Sequence, residues 1–183
     1  MLREAAKCYQ KGIESDLSKE KYSWISDKLH AQLIQVRGQL FEAHKSIEFY
    51  KNQIGESPEE PKNYCFLVQC YLQVDQIHEA KKVFQAGIKL FPVHALLTYF
   101  GGEIHARFGH IEEALMAWEK SATLDPQLVD GRFSRAFLLE REQRLDDCAQ
   151  EWKNIIEFMN KYGLNDDLPR CELDRIEKQM RNN

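Results

Sequence analysis

Apolar positions along the chain recur at helical intervals, with little of the strict alternation a strand would show. In the stretch from Gly109 to Pro126, Ala114, Trp118 and Ser121 stand at i, i+4 and i+7, with a glycine before them and a proline after. That order spells a turn, an amphipathic helix and a stop. A step of 34 residues back lands on Ala80, Phe84 and Pro92, and a step of 34 forward lands on Cys148 and Trp152. Self-similarity at such a period means stacked supersecondary units rather than one closed core.

The elements follow in order. Leu2 to about Ser15 is an amphipathic helix in which Ala5, Tyr9 and Gly12 repeat the spacing of Ala80, Phe84 and Gly87. It reads as a second helix without its first, so the chain is expected to begin inside a repeat, either as a fragment of a longer protein or with its first helix diverged into a cap. About Ser23 to Val36 is the next first helix. Gly38 is expected to turn the chain into a helix from Gln39 to Ile54, with Ala43 in the small position and Ile47 in the bulky one. Ala43 lies 37 residues before Ala80, three more than the period, and Gly55 to Pro61 is expected to absorb the excess as a loop.

Further helices are predicted over Pro61 to about Val74, Ile77 to Leu90, about Val93 to Phe108, Ile111 to Leu124, about Gln127 to Arg141, and Leu145 to Tyr162. Gly101 and Gly102 fall inside one of them, where each glycine costs roughly 1 kcal/mol against alanine. Close approach of the paired helix, with Trp118 lying against the backbone, accounts for that cost. Gly163 reads as a left-handed helix end, and Asp166 and Asp167 cap a final helix with Pro169 in its first turn. Leu168, Leu173, Ile176 and Met180 give that helix a narrow apolar stripe, and the rest of it is charged, as a terminal cap requires.

Composition adjusts this picture little. The chain has 43% hydrophobic and 30% charged residues with only five prolines and nine glycines, which favours an ordered helical chain over a disordered one. Its net charge is −4 with the two signs interleaved, so no basic stripe argues for nucleic acid. No apolar run is long enough for a signal peptide or a membrane span, and a cytoplasmic setting is the default expectation. The cysteines, Cys8, Cys65, Cys70, Cys148 and Cys171, are odd in number and lack Cys-x-x-Cys spacing, so they are expected to be reduced and to serve as small core residues.

No nucleophile elbow, phosphate-cradling glycine loop or His-Glu-x-x-His motif occurs, and the six histidines are scattered. The reading is of a protein with no enzymatic role, no cofactor and no metal.

A 34-residue period carrying a glycine turn, Ala-x-x-x-aromatic-x-x-small and a closing proline resembles the tetratricopeptide repeat. Pro61 to Pro92 and Ala95 to Pro126 match it closely, the regions before and after more loosely. The resemblance implies an all-α, right-handed α-solenoid of antiparallel helix pairs, with about ten helices and a C-terminal capping helix. It divides a single repeat domain over 1–183 into a partial repeat at 1–20, a degenerate repeat at 24–57, repeats at 61–94 and 95–128, a divergent repeat at 129–162 and a cap at 166–183. The bulky residue expected early in each first helix is Tyr64 in one repeat, but Thr98, Arg132 and Asp27 stand there in others. Those positions either loosen the packing or tilt the helices.

The resemblance also implies a concave groove lined by the first helix of each repeat. Its inner face would carry Phe66, Gln69 and Gln73, then Tyr99, Phe100, Glu103 and Arg107, then Phe133, Phe137 and Arg141. These rings either pack between repeats or line the groove, where Gln, Glu and Arg would fix a peptide's register. Members of the family that bind acidic chaperone tails grip a carboxylate with lysines, asparagines and an arginine. Phe66, Gln69, Phe100 and Ser134 hold the matching positions here, and Lys28 and Lys62 lack the asparagines, so that clamp is expected to be absent. The function implied is a scaffold that binds a peptide or helix of a partner protein. Alternatives are an accessory or regulatory region of a larger enzyme or peptide-sensing regulator, and an RNA-binding helical repeat. Self-association through Leu2, Ala6, Tyr9 and Ile13 of the first helix is a further expectation.

Overall fold

The computed structural model describes residues 1–15, 23–39 and 41–182. Among these residues the chain forms ten helices: α1 (Leu2–Glu14), α2 (Ser23–Gln39), α3 (Ala43–Glu56), α4 (Pro61–Gln73), α5 (Ile77–Leu90), α6 (Ala95–Arg107), α7 (Ile111–Leu124), α8 (Asp130–Arg141), α9 (Leu145–Lys161) and α10 (Asp167–Asn182). The fold is an all-α tetratricopeptide-like solenoid, and none of its described helices is long and apolar enough to cross a membrane. By packing the chain divides into two compact units, Met1–Phe100 and Gly101–Asn183, with the boundary inside α6. Residues 16–20 of the expected first segment, and Leu40 of the helix expected from Gln39, lie outside the described residues.

One backbone device sets the period. Phe41, Asp75, Gly109 and Gln143, each 34 residues after the last, have φ of 58°, 58°, 76° and 59°. After each, an amide reaches back across the turn: Glu42 N–H to Arg37 O, Gln76 to Tyr71, His110 to His105 and Arg144 to Leu139, at 2.7 to 2.9 Å. This is the left-handed helix ending in which the residue beyond the last turn satisfies a carbonyl that the helix leaves open. Glycine is the easiest residue to place there, yet only one of the four turns uses it, which is why the sequence shows the turn clearly at Gly109 alone. Gly163 ends α9 in the same way (φ 64°), with Leu164 N–H bonding Met159 O at 2.8 Å, as expected from its sequence.

These turns correct the reading of the second repeat. Gly38 lies inside α2, and Phe41 makes the turn. Ser46, buried to 1%, falls 34 residues before the fully buried Ala80, and Tyr50, at 2%, falls 34 before Phe84. The small and bulky positions are therefore Ser46 and Tyr50, not Ala43 and Ile47, and Pro58 falls in phase with Pro92 and Pro126. No loop is inserted. The register also makes His30, rather than Asp27, the counterpart of Tyr64. Burial pushes the His30 imidazole down and the Tyr50 phenol up, so the two groups meet as neutral partners in a hydrogen bond, Nδ1 to Oη, of 2.6 Å.

In the unit Met1–Phe100, α4 is central. Its Tyr64, Cys65, Phe66, Leu67, Val68, Cys70, Tyr71 and Leu72 are all buried, which a helix apolar on every side requires. It packs against α2, α3 and α5. Pro61 opens it without leaving an amide to satisfy, and the Glu60 carboxylate accepts from Lys62 N at 3.2 Å. α1 packs on α2, where Gly12 lies against Leu29. No α1 residue is fully buried: Leu2 is exposed, and Ala6, Tyr9 and Ile13 are half-buried.

In the unit Gly101–Asn183, α8 packs on α7 and α9, and α9 on α10. The final helix buries Pro169 and Ile176 and leaves its charged faces outward, the amphipathic pattern of a cap. Trp118 sits against Gly102, where an added Cβ would lie 2.4 Å from the indole Nε1. The close approach expected from the glycine pair is thus observed. On the α8 side, a Cβ at Gly131 would lie 3.2 Å from the Trp118 carbonyl oxygen.

Not all cysteines are core residues. Cys65, Cys70 and Cys148 are buried, whereas Cys8 and Cys171 are exposed. Burial pushes the Cys65 thiol up, the Cys70 thiol to about 12 and the Cys148 thiol to about 11, and Cys148 also donates to Ala136 O at 3.3 Å. Thiolate is the reactive form. An aromatic disulfide reagent at neutral pH is therefore expected to label Cys8 and Cys171 rapidly in the native chain, and the remaining three thiols only after denaturant. Rapid labelling of all five would contradict this packing.

Candidate functional site: a cleft on α6 and α8

A cleft of about 480 Å³ opens in the unit Gly101–Asn183. The C-terminal half of α6 contributes Glu103, Ala106 and Arg107, and α8 contributes Ser134, Phe137, Leu138 and Arg141. Both sets follow the i, i+3, i+4 spacing that brings side chains to one helix face. Trp118 of α7 completes the lining. Ser134 Oγ donates to Glu103 Oε1 at 3.1 Å, fixing α6 to α8 at mid-cleft.

Phe137 is 46% exposed, although its ring is a large apolar group. It meets the fully buried Trp152 edge-on, with centroids 5.3 Å apart and planes at 78°. Phe133 meets the same indole at 5.6 Å and 73°. Trp152 therefore supports both rings from below, in the edge-to-face geometry that aromatic quadrupoles favour. Arg107 and Arg141 are exposed at the cleft, and Arg141 Nε also contacts Glu142 at 3.1 Å. An exposed ring between two guanidinium groups and a carboxylate can take an apolar side chain and fix polar groups on either side of it.

Glu103, Arg107, Phe137 and Arg141 of the expected groove residues come together in this cleft, while Phe133 is not part of its lining and meets Trp152. The others belong to the unit Met1–Phe100. Phe66 is buried, stacked on His30 at 4.9 Å and tilted against Tyr50 at 5.3 Å. Gln69 is half-buried. Gln73 is exposed, donates to Gln35 O at 3.1 Å and lies over Gly38, where a Cβ would stand 2.2 Å from its amide nitrogen. Phe100 is buried to 7%, and its ring lies 5.2 Å from that of the half-buried Tyr99.

The sequence reading missed Ser134 as a tie across the cleft, because a serine in an amphipathic helix carries no distinctive signal. It also missed a second, smaller cleft of about 300 Å³ on α7, α8 and α9. There Arg135 bridges Glu119 at 3.0 Å and the buried Glu151 at 3.5 Å. Burial holds the Glu151 carboxyl above its usual range, and the facing guanidinium compensates, so these groups read as a structural ion pair. Among the described residues, no cluster of three or more His, Cys, Asp or Glu could hold a metal ion.

Paired helices with left-handed turns at a 34-residue period, with Trp118 of one pair lying against Gly102, define a helical-repeat protein. The profile of the tetratricopeptide repeat matches residues 61–94. A TPR repeat-containing protein of Methanocaldococcus jannaschii is 29% identical over 68 residues, which are 37% of this chain and 20% of that protein. The chain thus spans about a fifth of the length of that relative. Among solved structures, a thermophilic TPR protein of Thermus thermophilus aligns with a TM-score of 0.71 at 16% identity, over 93% of this chain and 88% of that one. MamA aligns with a TM-score of 0.59 at 19% identity, over 86% and 88% of the two chains. MamA of Desulfovibrio magneticus aligns at 0.59 and 15% identity, over 86% and 96%. At these identities the structures establish the fold. The chain carries a tetratricopeptide repeat at residues 61–94 and has the fold of tetratricopeptide-repeat structures.

Proposed function

We propose that this chain is an interaction scaffold and that the cleft on α6 and α8 seats a peptide segment of a partner protein. The observation that carries this reading is Phe137, a ring left nearly half exposed while held from beneath by Trp152 and flanked by Arg107 and Arg141. An aromatic residue on rigid support, with arginines at the edge, is the composition of a binding hot spot. The partner segment would carry an apolar residue for Phe137 and acidic or carbonyl groups for the two guanidinium groups. The chaperone-type carboxylate clamp has no part in it: Phe66 and Phe100, at two of the clamp positions, are buried rings.

Selection of a displayed peptide library on the intact chain tests this. Enriched peptides are expected to bind in the micromolar range and to lose about tenfold or more in affinity on the Arg107→Glu, Arg141→Glu, Phe137→Ala triple variant, with helical circular dichroism retained. Phe137 is the residue to truncate because Phe100 is buried and its loss would act on the core. Equal affinity for the triple variant would overturn the reading.

A further inference from the structure

Another cleft, of about 410 Å³, lies in the unit Met1–Phe100 and differs in chemistry from the one on α6 and α8. We propose that it takes an acidic peptide segment with an apolar residue next to its acidic run. Arg3, Lys7 and Lys11 follow one another at i+4 along α1, Arg37 stands at the end of α2, and Lys45 stands at the start of α3. Against these five cations, Glu42 is the single carboxylate lining the cleft among the described residues. Glu4 lies 3.1 Å from Lys7. The half-buried Glu42 lies 3.1 Å from Lys45 and is held below its usual range by that contact and by the nearby Arg3 and Arg37, which leaves one carboxylate shared among three cations.

Arg37 is positioned differently. Its guanidinium donates to Gln10 Oε1 at 2.9 Å and to Ser46 Oγ at 3.2 Å. Both are neutral acceptors, so they orient the charge without cancelling it. A half-buried cation held in this way is prepared for an anion.

Phe41 is the independent observation. It is 93% exposed and has φ of 58°, in the turn bracketed by Arg37 and Glu42, which both line the cleft. The equivalent turns use Asp75, Gly109 and Gln143. A bulky ring in the left-handed region is strained, and its exposure gains nothing for the fold. A ring kept there at both costs is placed to meet an apolar group of the ligand. The net charge of −4 sets the chain's overall field against polyanions such as duplex nucleic acid or an anionic membrane, while a short acidic segment responds to the local cations. The site is built from α1, α2 and the start of α3 and shares no residue with the cleft on α6 and α8.

The probe is a fluorescein-labelled synthetic peptide with a Leu-Phe pair beside a short run of alternating Asp and Glu, titrated with the full chain at low salt. Binding is expected in the micromolar range, falling as salt rises. It should weaken about tenfold or more in the Lys7→Glu, Lys11→Glu, Lys45→Glu variant and by an intermediate factor in the corresponding Gln variant, with helical circular dichroism unchanged. Phe41→Gly should weaken binding severalfold while raising the denaturation midpoint, because glycine relieves the turn. Arg107→Glu with Arg141→Glu should leave it unaltered. The proposal is overturned if the lysine variants bind as wild type does, or if the Asn/Gln version of the peptide binds equally well. Tighter binding of a single-stranded oligonucleotide, or of phosphatidylserine–phosphatidylcholine vesicles, through the same lysines would also overturn it.

Discussion

Trp152→Ala is expected to cost about 3–5 kcal/mol, the range for removing a large aromatic from a packed interior. The indole has no exposed surface and lies beneath both Phe133 and Phe137. A typical domain has only about 5–15 kcal/mol of total stability, so this variant should show a much lower urea midpoint with the loss concentrated in the C-terminal unit. Hydrogen exchange resolved along the chain would check that location. A comparison with Phe137→Ala separates packing from recognition. Phe137 is 46% exposed, so its truncation should cost much less stability and should act mainly on peptide affinity. A stability loss of similar size in both variants would mean that the exposed ring serves the fold.

Gly102→Ala is the second large effect, and it runs against helix propensity. Alanine favours a helix interior over glycine by about 1 kcal/mol, so on propensity alone the substitution would stabilise α6. The new methyl group, however, would lie 2.4 Å from Trp118 Nε1 and 2.5 Å from Cδ1. The backbone of Trp118 has little room to retreat, because Gly131 of α8 already lies close to its carbonyl oxygen. Overpacking of this kind costs about 1–3 kcal/mol, enough to reverse the sign. Trp118→Phe in the same chain should recover part of the loss, since a smaller ring leaves the space that the methyl group needs. Denaturant midpoints for the two single variants and the double variant give the coupling, expected at about 0.5–3 kcal/mol for groups in contact. An additive result would show that the indole is not what limits residue 102.

The match between Gly102 and Trp118 extends along the chain. Positions 34, 68, 102 and 136 carry Ile, Val, Gly and Ala, while positions 50, 84, 118 and 152 carry Tyr, Phe, Trp and Trp. The two indoles occur in the repeats with the two smallest counterparts. This relation was legible in part: the glycine pair beside Trp118 pointed to it, and the period located Ala80, Ala114 and Cys148, all fully buried. The second repeat was misread because Gly38, a residue that ordinarily signals a turn, is used there inside a helix to admit Gln73. Phe41, which carries no turn signal, makes the reversal instead.

The candidate site was less legible than the fold for a related reason. Phe66 and Phe100 share a register position that Ser134 holds in the next repeat, and both rings are buried, whereas Phe137 stands three residues beyond it and is exposed. The rings that cover Phe66, His30 and Tyr50, come from other helices and are distant in sequence. Spacing within one helix cannot report that. Arg3, Lys7 and Lys11 form a row that the interleaved charges of the whole chain conceal, and Arg37 and Lys45 join it only through the packing of α1 on α2 and the turn into α3.

The evenly spaced left-handed turns bear on how such a chain can be recombined. Each reversal lies within a helix pair and closes on that pair's own backbone, from Arg37 to Glu42 or from His105 to His110. A transplanted segment running from one inter-pair loop to the next would carry both its reversal and its matched ring and gap. A segment cut at the reversal would separate the two, setting an indole against a valine or a phenylalanine against empty space. The exchangeable module in this chain is therefore the whole pair, and chimeras joined at Ser57–Glu60, Phe91–His94 or Asp125–Val129 should fold where those joined at residues 41, 75, 109 or 143 should not.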